Sequence, residues 1–135
     1  MLKAQNQAQQ ILIVDDETTL VFFLKQDLRQ LELACQVDNA ARGEEALSKL
    51  TLNKYDLLIT DLKMPGINGL TLIEVARTLQ PEISVILMTA FGSREVEEQA
   101  GQLRVDGYLT KPFPMTTLRD LVTKLLREKK LLAKL

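Results

Sequence analysis

Five residues spread along the chain carry most of its chemical potential: Asp15, Asp16, Asp61, Thr89 and Lys111. Each ends or follows a short apolar run, "ILIV" at 11–14, "DLLIT" at 56–60, "SVILMT" at 84–89 or "GYLT" at 107–110. Three carboxylates brought together repel. Two unit charges about 4 Å apart cost roughly 4 kcal/mol at an effective dielectric near 20, against a domain stability of about 5–15 kcal/mol. They stay ionised only beside cations, here Lys111 and a metal. An all-oxygen site that keeps several waters suits Mg²⁺. With that positive charge, and with the Thr89 hydroxyl and backbone amides donating, such a rim can hold a dianionic phosphoryl group against an aspartate. An aspartate can itself be the nucleophile in phosphoryl transfer. Asp61 is the candidate, because it stands alone on a central strand while Asp15 and Asp16 form the paired metal cradle. A lone aspartate after a strand is a common turn residue. The combination carries the reading.

The elements that must position these groups alternate regularly. Ile11–Val14 reads as a buried strand, followed by Leu20, Leu24, Leu28 and Leu31 at helical spacing, with Phe22 expected in the core and Phe23 in it or beside it. Cys35–Val37 reads as a weaker strand, with Cys35 a small buried residue, and Glu44–Leu50 as a short helix with Ala46, Leu47 and Leu50 on one face. Residues 56–60 form a strand, and 69–79 a helix with Leu72, Ile73, Ala76 and Leu79 inward. Residues 84–89 form the clearest strand, Met88 included in the core. Ser93–Ala100 is a short helix opened by Ser93 and Glu95, with Arg94–Glu98 a solvated face. Residues 107–110 are a fifth strand. The last helix starts from about Thr117, where Thr117 and Asp120 resemble a capping box, and turns Leu118, Leu121, Val122 and Leu125 inward. Nearly continuous apolar strands alternating with helices indicate a parallel sheet covered on both faces, a small doubly wound α/β domain. Ligands in such sheets bind beyond the carboxyl ends of the strands, where the five residues fall.

Composition removes other chemistries. The 135 residues make one domain, and a formal net charge of −1 gives no reason to expect nucleic acid or an anionic membrane as a direct partner. There is no histidine, which excludes Ser-His-Asp and Cys-His catalysis, His-ligated metals and a phospho-histidine carried by this chain. Cys35 is the single cysteine, so no intrachain disulfide or CxxC motif is available. The first ten residues lack the apolar core of a signal peptide, and no apolar run approaches a membrane span; a cytoplasmic protein is expected. The chain divides into a polar N-terminal extension at 1–9, the domain at 10–126, and a helical extension or start of a linker at 127–135.

"VDD" at 14–16, "DLLITDLKMPGINGL" at 56–70, "LMTAFG" at 87–92 and "GYLTKPF" at 107–113 together resemble the receiver domain of two-component response regulators, in order and spacing, from about Gln10 to Leu126. The resemblance implies a flavodoxin-like fold of five parallel strands in the order 2-1-3-4-5 with five helices on both faces. It implies that Asp61 takes a phosphoryl group from a sensor histidine kinase or phosphotransfer protein. It further implies that Asp16 binds Mg²⁺ directly, that Asp15 contributes partly through water, and that the Lys63 carbonyl adds a backbone ligand. Thr89 and Lys111 match the phosphate-sensing hydroxyl and ammonium, Tyr108 matches the aromatic that changes rotamer on activation, and the Lys111–Pro112 bond is cis in the family. The surface of the fourth helix, fifth strand and fifth helix is where a partner or a second copy is expected.

By the same resemblance, Lys63 and Phe91 flank the approach of water to the phosphorylated aspartate. Neither can act as a base, so slow self-dephosphorylation is expected. The chain would catalyse its own modification without being a metabolic enzyme. Pro65 and Gly66 read as turn chemistry. A pseudo-receiver, the same fold used as a binding module without phosphorylation, usually lacks an acid or the lysine, and here all are present. An aspartate-nucleophile phosphatase would place two acids two residues apart after one strand. A flavin-binding relative would want a Ser/Thr/Gly-rich loop where "DDETT" stands.

Overall fold

The computed structural model describes residues 8–135. Most of the extension read at 1–9 lies outside them. Apolar runs became five strands: β1 (Gln9–Val14), β2 (Cys35–Ala40), β3 (Leu57–Asp61), β4 (Ser84–Thr89) and β5 (Gly107–Thr110). Between and after them lie α1 (Thr18–Arg29), α2 (Gly43–Leu52), α3 (Gly69–Leu79), α4 (Arg94–Gln102) and α5 (Met115–Ala133). The strands pair in parallel in the order β2-β1-β3-β4-β5. No helix among the described residues is long and apolar enough to cross a membrane.

Alternate residues of each strand feed two cores. Leu12, Val14, Leu58, Val85 and Leu87 pack on one face with Ala46 and Leu50 of α2, Leu72, Ile73 and Ala76 of α3, and Ala100 of α4. Ile11, Ile13, Leu57, Ile59, Ile86 and Met88 pack on the other with Val21, Leu24 and Leu28 of α1 and Leu118, Val122 and Leu125 of α5. Burial on both faces is why the central strands read as unbroken apolar runs.

Several expectations need correction. Phe22 is not core: it is 55% exposed, and its ring meets that of Phe23 edge-on at 5.5 Å. One residue beyond Val21 is about 100° round the helix, which turns Phe22 off the buried stripe of Val21, Leu24 and Leu28. Leu79 is exposed rather than inward, as the last residue of α3, with no further turn to cover it. Cys35 is half-buried, its thiol donating to the Leu28 carbonyl. Strand β2 runs on to Ala40 through the polar Asp38 and Asn39, because pairing with β1 continues to Val14. Helix α5 starts at Met115, and Thr117 is already inside it. Pro114, with φ −65° and ψ 139°, leads straight into the helix without a side-chain cap. The Ser93 cap is present, its hydroxyl accepting the Val96 amide at 3.1 Å, and the charged residues of Arg94–Glu98 face solvent. Helix α5 continues without a break through 127–133.

Candidate functional site

Register alone gathers the chemistry. Val14 pairs with Thr60, so the next residues, Asp15 and Asp61, lie side by side at the ends of β1 and β3. Thr89 pairs with Thr110, which brings Lys111 to the same rim one strand further on. Backbone bonds lock these ends: the Asp15 amide donates to the Ala40 carbonyl at 3.1 Å and the Lys111 amide to the Thr89 carbonyl at 2.8 Å. Gly69 opens α3 hard against the end of β3. A Cβ there would lie 2.2 Å from the Asp61 carbonyl oxygen, so only glycine lets the helix seat beside that residue. Gly66, at φ 81°, takes the turn role expected of it.

Asp15 and Asp61 are buried, and Asp16 is exposed. One carboxylate oxygen of each lies within 4.8 Å of the other two. Three carboxylate oxygens in that compass could be shared by one hard cation such as Mg²⁺. The donor set is all oxygen, and the exposed Asp16 leaves room for water. The residues fit the metal.

Lys111 ties the acids together. Its ammonium donates to Asp15 Oδ2 at 2.7 Å and to Glu17 Oε1 at 2.9 Å, and lies 3.5 Å from Asp61 Oδ1. Burial works against its charge, but the bonds to Asp15 and Glu17 and the nearby carboxylates win and hold its pKa above the usual lysine range. Burial also pushes the Asp61 carboxyl up, and the Asp15 charge adds to this. Lys111 and the Leu62 amide, which donates to Asp61 Oδ1 at 2.9 Å, oppose it.

Thr89 is fully buried, its hydroxyl oxygen accepting the Phe91 amide at 2.8 Å. Tyr108 pairs with Leu87, so it shares a sheet face with Thr89. Its hydroxyl is sealed from solvent without a hydrogen-bond partner among the described residues. The Lys111–Pro112 bond is cis, as the resemblance implies. Lys63 is exposed, and its ammonium sits 4.4 Å from the centroid of the Phe91 ring. Asp15, Asp16, Asp61 and Lys111 therefore meet at one rim, Thr89 ends the neighbouring strand, and Lys63, Phe91 and Tyr108 lie on the adjoining loops and strand. Sequence reasoning missed Glu17 as a partner of Lys111, although a third acid directly after Asp15 and Asp16 was the available signal.

The response regulator receiver domain family matches residues 11–123. Sporulation initiation phosphotransferase F of Bacillus subtilis is 31% identical over 87% of this chain and 94% of its own length. Among solved structures, a CheY-like receiver domain protein from Methanospirillum hungatei superposes with a TM-score of 0.83 at 30% identity, covering 92% of this chain and 98% of that one. Response regulator protein TrrA from Thermotoga maritima, solved in complex with Mg²⁺ and BeF, has a TM-score of 0.76 at 35% identity, covering 87% and 98%. With five parallel strands in the order 2-1-3-4-5 and a family match along most of its length, the chain belongs to the response regulator receiver domains of two-component systems.

Proposed function

We propose that Asp61 accepts a phosphoryl group from a phospho-histidine of a sensor histidine kinase or phosphotransfer protein, and that this modification switches the α4–β5–α5 surface. The observation that carries the reading is the convergence of three carboxylates and one ammonium on a single rim. Asp61 Oδ1 is occupied by the Leu62 amide and lies toward Lys111, which leaves Oδ2 to attack phosphorus. The Oδ2–P bond forms as the P–N bond breaks, and the departing imidazole nitrogen keeps the electron pair.

Asp15, Asp16, Asp61 and the Lys63 carbonyl would hold Mg²⁺, which when bound neutralises charge developing on the phosphoryl oxygens. Both Asp15 oxygens are already engaged, by Lys111 and by the Glu17 amide, which supports Asp16 as the more direct ligand. Lys111 holds a phosphoryl oxygen by charge, and the Thr89 hydroxyl donates to another. As Thr89 moves toward the phosphoryl group it vacates space for Tyr108, which alters the face made by α4, β5 and α5. That face would meet a target or a second copy, in the cytoplasm. The intact set of acids, hydroxyl and lysine argues against a binding module that ignores phosphorylation.

The test is labelling with a small phosphodonor. With Mg²⁺, Asp61 should become an acyl phosphate labile to base and hydroxylamine. Chelation or Asp61→Asn should abolish it. Labelling of Asp61→Asn at the parental rate would overturn the assignment.

A further inference from the structure

Lys111 has more partners than the proposed reaction gives it. An ammonium carries three N–H donors. Two are spent on Asp15 Oδ2 at 2.7 Å and Glu17 Oε1 at 2.9 Å, while Asp61 Oδ1 at 3.5 Å is held by charge rather than by a good hydrogen bond. Among the described residues the third N–H has only Asp61 Oδ1 within reach, at 3.5 Å, so drawing the ammonium in to hold a phosphoryl group on Asp61 lengthens its bond to one of the other two. The two differ sharply. The Asp15 side chain is 0% exposed, so losing the ammonium would strand a buried charge. The Glu17 side chain is 61% exposed, so water can replace the ammonium. Glu17 is the partner that yields.

Glu17 is also free for this task. It is the N-cap residue of α1, yet its side chain makes no cap hydrogen bond. The carboxylate crosses to Lys111 instead. Resting on the phosphoryl-acceptor reading, we propose that Glu17 is a positioning residue that competes with the phosphoryl group for Lys111. It holds the ammonium toward the loop between β1 and α1 in the unmodified protein, and so raises the threshold for the modified state. Once displaced, its charge stands beside a dianion and keeps opposing it.

The probe is beryllofluoride with saturating Mg²⁺, its affinity measured by calorimetry on the full chain for the parent, Glu17→Gln and Glu17→Asp. Glu17→Gln should bind about two- to fivefold more tightly at low salt, since an exposed ion pair is all it must no longer break. The advantage should shrink in about 0.5 M salt, where exposed charges are screened beyond a few ångströms; a merely structural role would not move with salt in this way. Glu17→Asp falls one methylene short of Lys111 and should also bind more tightly than the parent. Equal or weaker binding by Glu17→Gln, or parental binding by Glu17→Asp, would overturn the competition. A parent that binds no beryllofluoride would sink the phosphoryl-acceptor reading itself, whereas a binding parent with an indifferent Glu17→Gln sinks only the role of Glu17.

Discussion

Lys63, two residues after Asp61, and Phe91, two after Thr89, come from different loops and meet, the ammonium 4.4 Å from the ring centroid. At an exposed site a cation over an aromatic face is worth about 0.5–1 kcal/mol, enough to bias two loop side chains toward each other. Hydrolysis of an acyl phosphate at Asp61 needs a water in line with the bond to phosphorus. An ammonium and a phenyl ring, two residues past Asp61 and two past Thr89, offer that water no base. Phosphorylated Lys63→Asn/Phe91→Glu should therefore release phosphate roughly several-fold faster than the parent, followed with purified protein. Equal rates would leave both positions without a role. At this scale the site is largely legible in the sequence, because carboxylate, hydroxyl and ammonium keep their chemistry wherever they are placed. Their division of labour is not. Asp15, Asp16 and Glu17 are three consecutive acids, and only the folded backbone buries the first, exposes the second and turns the third to Lys111.

Elements differ in how openly they announce themselves. Helix α3 matches its expected span of 69–79 and β4 its span of 84–89, because each has a full apolar pattern and clear boundaries. Strand β2 is longer than its apolar residues suggest, since Asp38 and Asn39 are held by pairing with β1 and by side-chain bonds before the buried Ala40 closes it. The packing of β5 against the loop after β4 was equally hidden. A Cβ at Gly92 would lie 2.8 Å from the Tyr108 hydroxyl, so the missing side chain makes the space in which that hydroxyl is sealed. Gly92 does not use a positive φ, so alanine there strains no backbone. The obstacle is the far end of a mobile ring. An unpaired buried hydroxyl costs about 1–3 kcal/mol, so pushing it into solvent should offset the crowding. Gly92→Ala should be close to neutral in stability and should expose Tyr108. Burial, and next the Glu97 charge, hold the Tyr108 pKa above the usual tyrosine value. Spectrophotometric titration should therefore show the earlier of the two tyrosine steps moving down in the variant. An unmoved step would mean that the ring keeps its place.

Across the whole molecule, the order of the strands is the feature that periodicity cannot supply. Alternating strands and helices fix a doubly wound sheet, but 2-1-3-4-5 follows only from the resemblance, and it leaves β2 at an edge. That edge is secured by polar ties to three other segments. Lys25 of α1 donates to Asn39 Oδ1 at 2.8 Å, Lys49 of α2 to Asp38 Oδ1 at 2.9 Å, and the Tyr55 hydroxyl, just before β3, to Asp38 Oδ2 at 2.9 Å. Burial, then the bond to Asp38 and its charge, push the Tyr55 pKa up to about 12. In the unfolded chain it returns to about 10. Between these values the unfolded state has lost a proton that the folded state keeps, so rising pH favours unfolding. The contribution is whole below about pH 10 and is lost as pH climbs toward 12, with a slope of at most about 1.4 kcal/mol per pH unit from this one group. Tyr55→Phe should cost about 1 kcal/mol at pH 7, because Asp38 keeps Lys49 and the Asn39 amide as partners. Above pH 10 the variant should lose stability less steeply than the parent, so the gap between them narrows. Denaturant midpoints from pH 7 to about 11.5 read both effects. Parallel curves above pH 10 would mean that the alkaline limit of this fold lies elsewhere than at its β2 edge.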